Sequence, residues 1–144
     1  MPKSDIFEKT LHETQDWIKD VEYELGWEDL KHQSFQALRG TLAALRDRLT
    51  PEEAAHLGAQ LPALLRGFYY EGWQPAHKPE KIGEGEFFKR VTANLNTNTP
   101  AQDIVRAVFK MLYHRISQGE SEDIKSILPK ELASLWPQKA ESKA

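Results

Sequence analysis

Cysteine is missing from all 144 residues. Disulfides, thiolate metal sites and a thiol nucleophile are thereby excluded. Long apolar runs are missing as well: none approaches the roughly 20 residues that a membrane-spanning helix needs, so no membrane partner is expected. The opening stretch MPKSDIFEKT has no apolar core of the kind a secretory signal carries, and the expected location is cytoplasmic. There is little excess charge of one sign, since 19 Lys and Arg face 22 Asp and Glu for a net charge of -3. That balance offers no global attraction to nucleic-acid phosphate or to an anionic membrane surface. Alternating β-branched and aromatic runs that end in hairpin turns are absent, which leaves an all-α fold. Finally, the chain has no GxSxG, no glycine-rich phosphate loop and no HExxH, and carboxylates such as Glu22 and Glu24 fall on different helix faces. No catalytic residue, cofactor or metal ligand is expected, and an enzyme is the third and least favoured reading.

What is present is helical periodicity with clear punctuation. Phe7, Leu11, Ile18, Val21 and Leu25 recur at helical spacing, with Ser4 as a candidate cap and Gly26 just past the end. Phe35, Leu38, Leu42, Leu45 and Leu49 form a second stripe. Thr50, Pro51 and Glu53 then supply a cap, a proline at the first helical position and an acidic third residue, which predicts a short helix to about Gln60. Pro62 disfavours helix at Leu61 and can open the next segment, ALLRGFYY, so the chain is expected to kink at Leu61-Pro62. Residues 71 to 86 have no apolar periodicity and are rich in Gly and Pro, which marks a linker or surface loop. Beyond it, Phe87, Phe88, Val91 and Leu95 predict a helix. Thr99, Pro100 and Gln102 repeat the capping pattern before Val105, Val108, Leu112 and Ile116. Gly119 is expected to interrupt, SEDIKSIL to form a short helix broken by Pro129, KELASLW to close the fold, and QKAESKA to be disordered.

The two halves share a pattern at an offset of 67 positions. Arg39, Leu45, Arg48, Glu53, Leu61, Pro62 and Leu65 recur as Arg106, Leu112, Arg115, Glu120, Leu128, Pro129 and Leu132. Most matched positions are apolar or punctuating, which is what a duplicated helical unit keeps so that each copy can bury the other's face. The expected architecture is one helical domain of 144 residues made of two tandem copies. Each copy is a helix, a second helix and a short helix pair kinked at Leu-Pro, with repeat 1 at about 5–70, the linker at 71–86, repeat 2 at about 87–136 and a tail at 137–144.

The stretches RLTPEEAAHLGAQLPALLRGFYYEGW and RAVFKMLYHRISQGESEDIKSILPKEL carry a resemblance to a bacterial family, domain of unknown function 2267, over residues 5 to 136. The resemblance implies a small bacterial helical bundle built from this unit twice. It implies no activity and transfers no site residue.

Glu53 and His56 form ExxH, the spacing used in carboxylate-bridged di-iron bundles, which need it twice with two further glutamates. The second copy offers Glu120 and Asp123, and Glu53 is taken by its cap, so these read as surface residues without a metal. Arg39 and Arg106 sit in mid-helix and are expected to pair with an Asp or Glu; Arg106, Lys110 and His114 also align as a weak basic stripe. Tyr69, Tyr70 and Trp73 crowd the end of the first copy, a composition common to binding surfaces, with Trp73 expected mostly buried between the halves. The candidate partner-binding residues are therefore Tyr69, Tyr70, Trp73, Arg39 and Arg106. The expected function is a non-enzymatic protein-interaction module, whose partner is another protein or a second copy. A nucleic-acid-binding bundle that uses the basic stripe is the alternative.

Overall fold

The computed structural model describes residues 5–138, and every regular element among them is helical. The helices are α1 (Ile6–Leu25), α2 (Lys31–Arg48), α3 (Pro51–Ala59), α4 (Ala63–Tyr70), α5 (Glu84–Thr92), α6 (Ala101–Arg115), α7 (Gln118–Ile127) and α8 (Lys130–Ala133), with a single 3-10 turn at Pro75–His77. No helix among the described residues is long and apolar enough to cross a membrane.

Side-chain chemistry sets the helix ends. Asp5 caps α1 by accepting from Phe7 N and Glu8 N, each at 3.0 Å. Ser4, the expected cap, lies outside the described residues, as do residues 139–144 of the expected disordered tail. Gly26 adopts the left-handed conformation (φ 69°) that ends α1, and Trp27 N donates to Glu22 O at 3.0 Å. Thr50 Oγ1 accepts from Glu53 N at 3.2 Å, and Ser117 Oγ accepts from Glu120 N at the same distance, so α3 and α7 start alike. Both Leu-Pro steps break the helix, with Pro62 and Pro129 standing just before α4 and α8.

Three local expectations need correction. Thr99 does not cap α6: Pro100 is itself the extended residue before the helix (φ -59°, ψ 141°), which leaves Thr99 one position too far out. Gly119 does not interrupt, because the cap at Ser117 starts α7 two residues earlier and carries the helix through it. The segment 71–86 is also shorter as a loop than expected, since α5 begins at Glu84.

At the centre, α2 and α6 touch each other, while α1 and α5 each lie against both of them. Leu38, Leu42 and Leu45 from α2 meet Val105, Val108, Phe109 and Leu112 from α6 in one buried cluster. The Phe109 ring packs 4.9 Å from the Trp136 ring, whose Nε1 donates to Ser121 Oγ at 2.8 Å. The end of KELASLW thereby seals the core.

The predicted stripe of α1 is only half used. Ile18 and Val21 are buried, but Phe7 is 76% and Leu11 46% exposed. Phe7 lies on the face of Thr14 and Val21, and Leu11 on that of Ile18 and Leu25, so the periodicity is as expected. The helices packed on α1, namely α2, α6 and α4, thus leave its first turns uncovered.

Candidate functional site

The linker is fastened by ions that make it part of the structure. Arg46 is buried, pairs with Asp47 through Nε at 2.9 Å, and donates from Nη1 to the carbonyls of Tyr69 (2.8 Å) and Glu71 (2.9 Å). Lys78 Nζ reaches Glu80 at 2.6 Å and Asp47 at 3.7 Å, while Arg90 bridges Glu80, Glu86 and Asp47. Hydrogen bonds from Arg90, then from Lys78, hold the Glu80 carboxyl down at about 2.

Against this frame the expected binding residues separate. Tyr69 is buried and its hydroxyl donates to Ala54 O at 2.7 Å. Burial, more than the neighbouring Tyr70, pushes its ionisation far above the ordinary tyrosine range. Tyr70 lies against Gly58, where any Cβ would collide with its hydroxyl. Trp73 packs 5.2 Å from the Tyr70 ring, tilted by 38°, and most of its surface is buried against the core, as expected. Its Nε1 is shielded without a hydrogen-bond partner.

Arg39 has the carboxylate partner expected of it, Glu71, and its guanidinium lies over the Phe68 ring at 5.0 Å and the Phe35 ring at 6.0 Å. Arg106 does not: it is exposed and makes no ion pair among the described residues. The chain after α2 returns Glu71 to Arg39, whereas among the described residues that follow α8, up to Gln138, there is no carboxylate to play that part for Arg106. Arg106 lines a cleft of about 420 Å³ with Glu24, Asp103 and Lys110. Lys110 pairs with Glu24 at 3.4 Å, which neutralises the middle of the expected basic stripe.

A second cluster forms where α3 meets α7. Gln60 closes one side of this contact, donating from Nε2 to Ser117 Oγ at 3.1 Å and accepting from Ser117 N at 2.7 Å. Glu53, His56 and Glu120 point together, with one ligating atom from each lying within 4.8 Å of the others. Glu53 is not taken by its cap, as the sequence suggested, because Thr50 binds its backbone N–H and leaves the carboxylate free. Glu53 Oε1 and Glu120 Oε2 are both shielded from solvent without a hydrogen-bond partner. Burial, then the negative charge of Glu53, raises the Glu120 carboxyl above its ordinary value. Glu120 is thus a buried group and not the surface residue expected.

The apolar end of α1 is the other feature that sequence reasoning missed. Ile6, 73% exposed, stands with Phe7 and Leu11 on its first turns, and Leu64 lies beside them where its backbone N donates to Thr10 Oγ1 at 2.8 Å. Asp5, Glu8, Glu13 and Asp16 with Lys9 and His12 line the adjoining surface, which is acidic on balance. The usable signal was helix length: a 20-residue amphipathic helix beside shorter neighbours must leave part of its stripe uncovered.

Comparison with curated proteins yields no match. A family model described as an uncharacterized conserved protein, DUF2267, matches residues 14–135, most of the chain, and the protein belongs to that family.

Proposed function

We propose that this protein is a non-enzymatic interaction module of the bacterial cytoplasm, and that it meets a partner protein through Ile6, Phe7 and Leu11 at the free end of α1. The observation that carries this reading is the exposure of two large apolar side chains, Phe7 and Leu11, in the continuation of a stripe whose remainder is core. Contiguous exposed apolar surface with a polar rim marks protein contact sites. The acidic rim favours a partner that brings basic groups and disfavours both nucleic acid and a second copy, which would bring the same acids.

The scaffold of the module is, in this reading, two copies of one unit at about 5–70 and 87–136 joined by 71–86. The contacts are reciprocal in the way a duplication requires: α1 reaches α6 while α5 reaches α2, and α2 meets α6 as α3 meets α7. The shared caps at Thr50 and Ser117 and the shared breaks at Pro62 and Pro129 support it. The first helices differ in use, with Phe87 and Val91 of α5 buried where Phe7 and Leu11 stand free. In this view one copy completes the core and the other offers the equivalent surface outward. The aromatic and arginine residues named above serve that scaffold, with Arg106 and Trp73 the two left with unmet bonding capacity.

The test is affinity capture with the wild type and a Phe7→Asp, Leu11→Asp double variant. A partner bound by the first and lost by the second, with unchanged circular dichroism, supports the proposal; identical captured sets refute it. The nucleic-acid alternative is checked alongside: a salt-dependent mobility shift abolished by Arg106→Ala would replace the protein reading.

A further inference from the structure

Two neighbouring carboxylates that each keep an oxygen out of water and without a donor are electrostatically incomplete. Like charges at this range raise each other's cost of ionisation, and low local polarity enlarges it. In the contact of α3 with α7 this is the state of Glu53 Oε1 and Glu120 Oε2. Neither carboxylate has a Lys or Arg partner among the described residues, and the His56 imidazole stands beside Glu53, its Nδ1 3.8 Å from Glu53 Oε1. Glu120 is only 7% exposed, so water cannot make good the deficit there. What the pocket wants is a cation small enough to sit among three ligand atoms.

We propose that Glu53, His56 and Glu120 bind one divalent transition-metal ion at the junction of α3 and α7. The ligand atoms already lie within 4.8 Å of one another. Around an ion with bonds near 2.1 Å, tetrahedral ligands are about 3.4 Å apart, so the set needs only to tighten. The His56 side chain is 53% exposed and is the one free to swing inward. Glu53 and His56 are i and i+3 on α3 and share a face, while Glu120 approaches from α7, so the ion would join the two helices.

The donor set chooses the class of ion. An imidazole nitrogen with two carboxylates suits Zn²⁺, Mn²⁺ or Fe²⁺, whereas Ca²⁺ and Mg²⁺ prefer oxygen alone and more ligands than three. Three protein ligands leave at least one position of a four-coordinate ion open to water or to a group from outside. Asp123, one turn beyond Glu120 on α7, adds negative field at the rim and draws cations toward the site.

The test uses the tag-free full chain, stripped with chelator, with Zn²⁺ as the probe in isothermal titration calorimetry and thermal melting. One saturable site per chain, a raised melting temperature, and affinity weakened about tenfold or more in both Glu120→Gln and His56→Ala support the proposal. Glu122→Gln, exposed on the same helix, should bind as the wild type does. Should Glu120→Gln misfold, His56→Ala decides, since its exposed ring can be removed without loss of packing. Absence of saturable binding overturns the proposal. Equal affinity in wild type and His56→Ala assigns the binding to other histidines and also overturns it. Tighter binding of Mg²⁺ or Ca²⁺ than of Zn²⁺ overturns the choice of a transition ion.

Discussion

A Cβ on Gly40 would lie 2.7 Å from the carbonyl oxygen of Val91, so α2 and α5 approach each other across a residue with no side chain. Alanine is the better helix former by about 1 kcal/mol, and propensity alone would make Gly40→Ala stabilising. The obstacle here is backbone, which cannot swing aside as a flexible side chain would. The expected outcome is a net loss of stability, with overpacking of about 1–3 kcal/mol outweighing propensity. Gly67, inside α4, has nothing within 4 Å of the same construction, so Gly67→Ala should instead gain about 0.5–1 kcal/mol. Urea denaturation of the two variants should move the midpoint in opposite directions; a shift of the same sign in both would refute the close approach.

Leu45 of α2 and Leu112 of α6 lie in the central helices and are fully buried. Leu45→Ala and Leu112→Ala should each cost about 2–5 kcal/mol. Phe7→Ser and Leu11→Ser, although they change residues of the same apolar stripe logic, should shift stability by no more than about 0.5 kcal/mol, because they remove little buried surface. Thermal melts of the four variants check both halves of this claim. A large destabilisation by Phe7→Ser would mean that the free end of α1 is covered in solution.

The contrast between those pairs shows what sequence could and could not say. Helix ends written by local chemistry were legible: Thr50, Pro51 and Glu53 stand within four residues, and the bond from Glu53 N to Thr50 Oγ1 forms from those atoms alone. The central stripes were legible too, since Leu42, Leu45, Val108 and Leu112 lie at helical spacing and are all buried. Whether a stripe is covered is a different matter, decided by the neighbours. Periodicity puts Phe7 and Val21 on one face, but the packing of the neighbouring helices decides that one is bare and the other buried. The orphaned carboxylates were hidden for a related reason. Each glutamate is ordinary on its own helix, and their meeting depends on how α3 docks on α7. The available hint was that the 67-residue offset aligns Glu53 with Glu120 in the sequence.

Glu80 should make the linker sensitive to acid. Its carboxyl is held at about 2 in the folded protein, chiefly by Arg90 and then by Lys78, against an ordinary value of 4.5. A depressed value means that the folded state prefers the charged form. The contribution is complete above 4.5 and is lost as pH falls from there toward about 2. The side chain is 31% exposed, so solvent limits the contribution to about 1 kcal/mol or less. Glu80→Gln should therefore melt below the wild type at pH 6, and the two curves should converge as the pH approaches 2. Parallel curves across that range would show that Arg90 and Lys78 do not act through the Glu80 charge.

Glu120 should behave in the opposite sense in metal-free protein. Its carboxyl is raised by burial, then by the charge of Glu53, with Asp123 adding to the effect and His56 opposing it. A raised value means that the folded state prefers the protonated form, so stability is fullest below the unfolded carboxyl's range and declines as pH rises through it toward the folded value. As the pH rises, the wild type takes on more of the cost of a buried carboxylate oxygen that has no hydrogen-bond donor. Glu120→Gln removes the charge, keeps the shape and places an amide that can donate to Glu53 Oε1. In the presence of chelator this variant should be more stable than the wild type at pH 7, and the advantage should shrink as the solution is taken down to pH 4. Melting curves recorded at both pH values decide the matter. A variant less stable than the wild type at pH 7 would mean that the Glu120 carboxylate has a stabilising partner, and the view of the α3 and α7 junction as an electrostatic deficit would have to be given up.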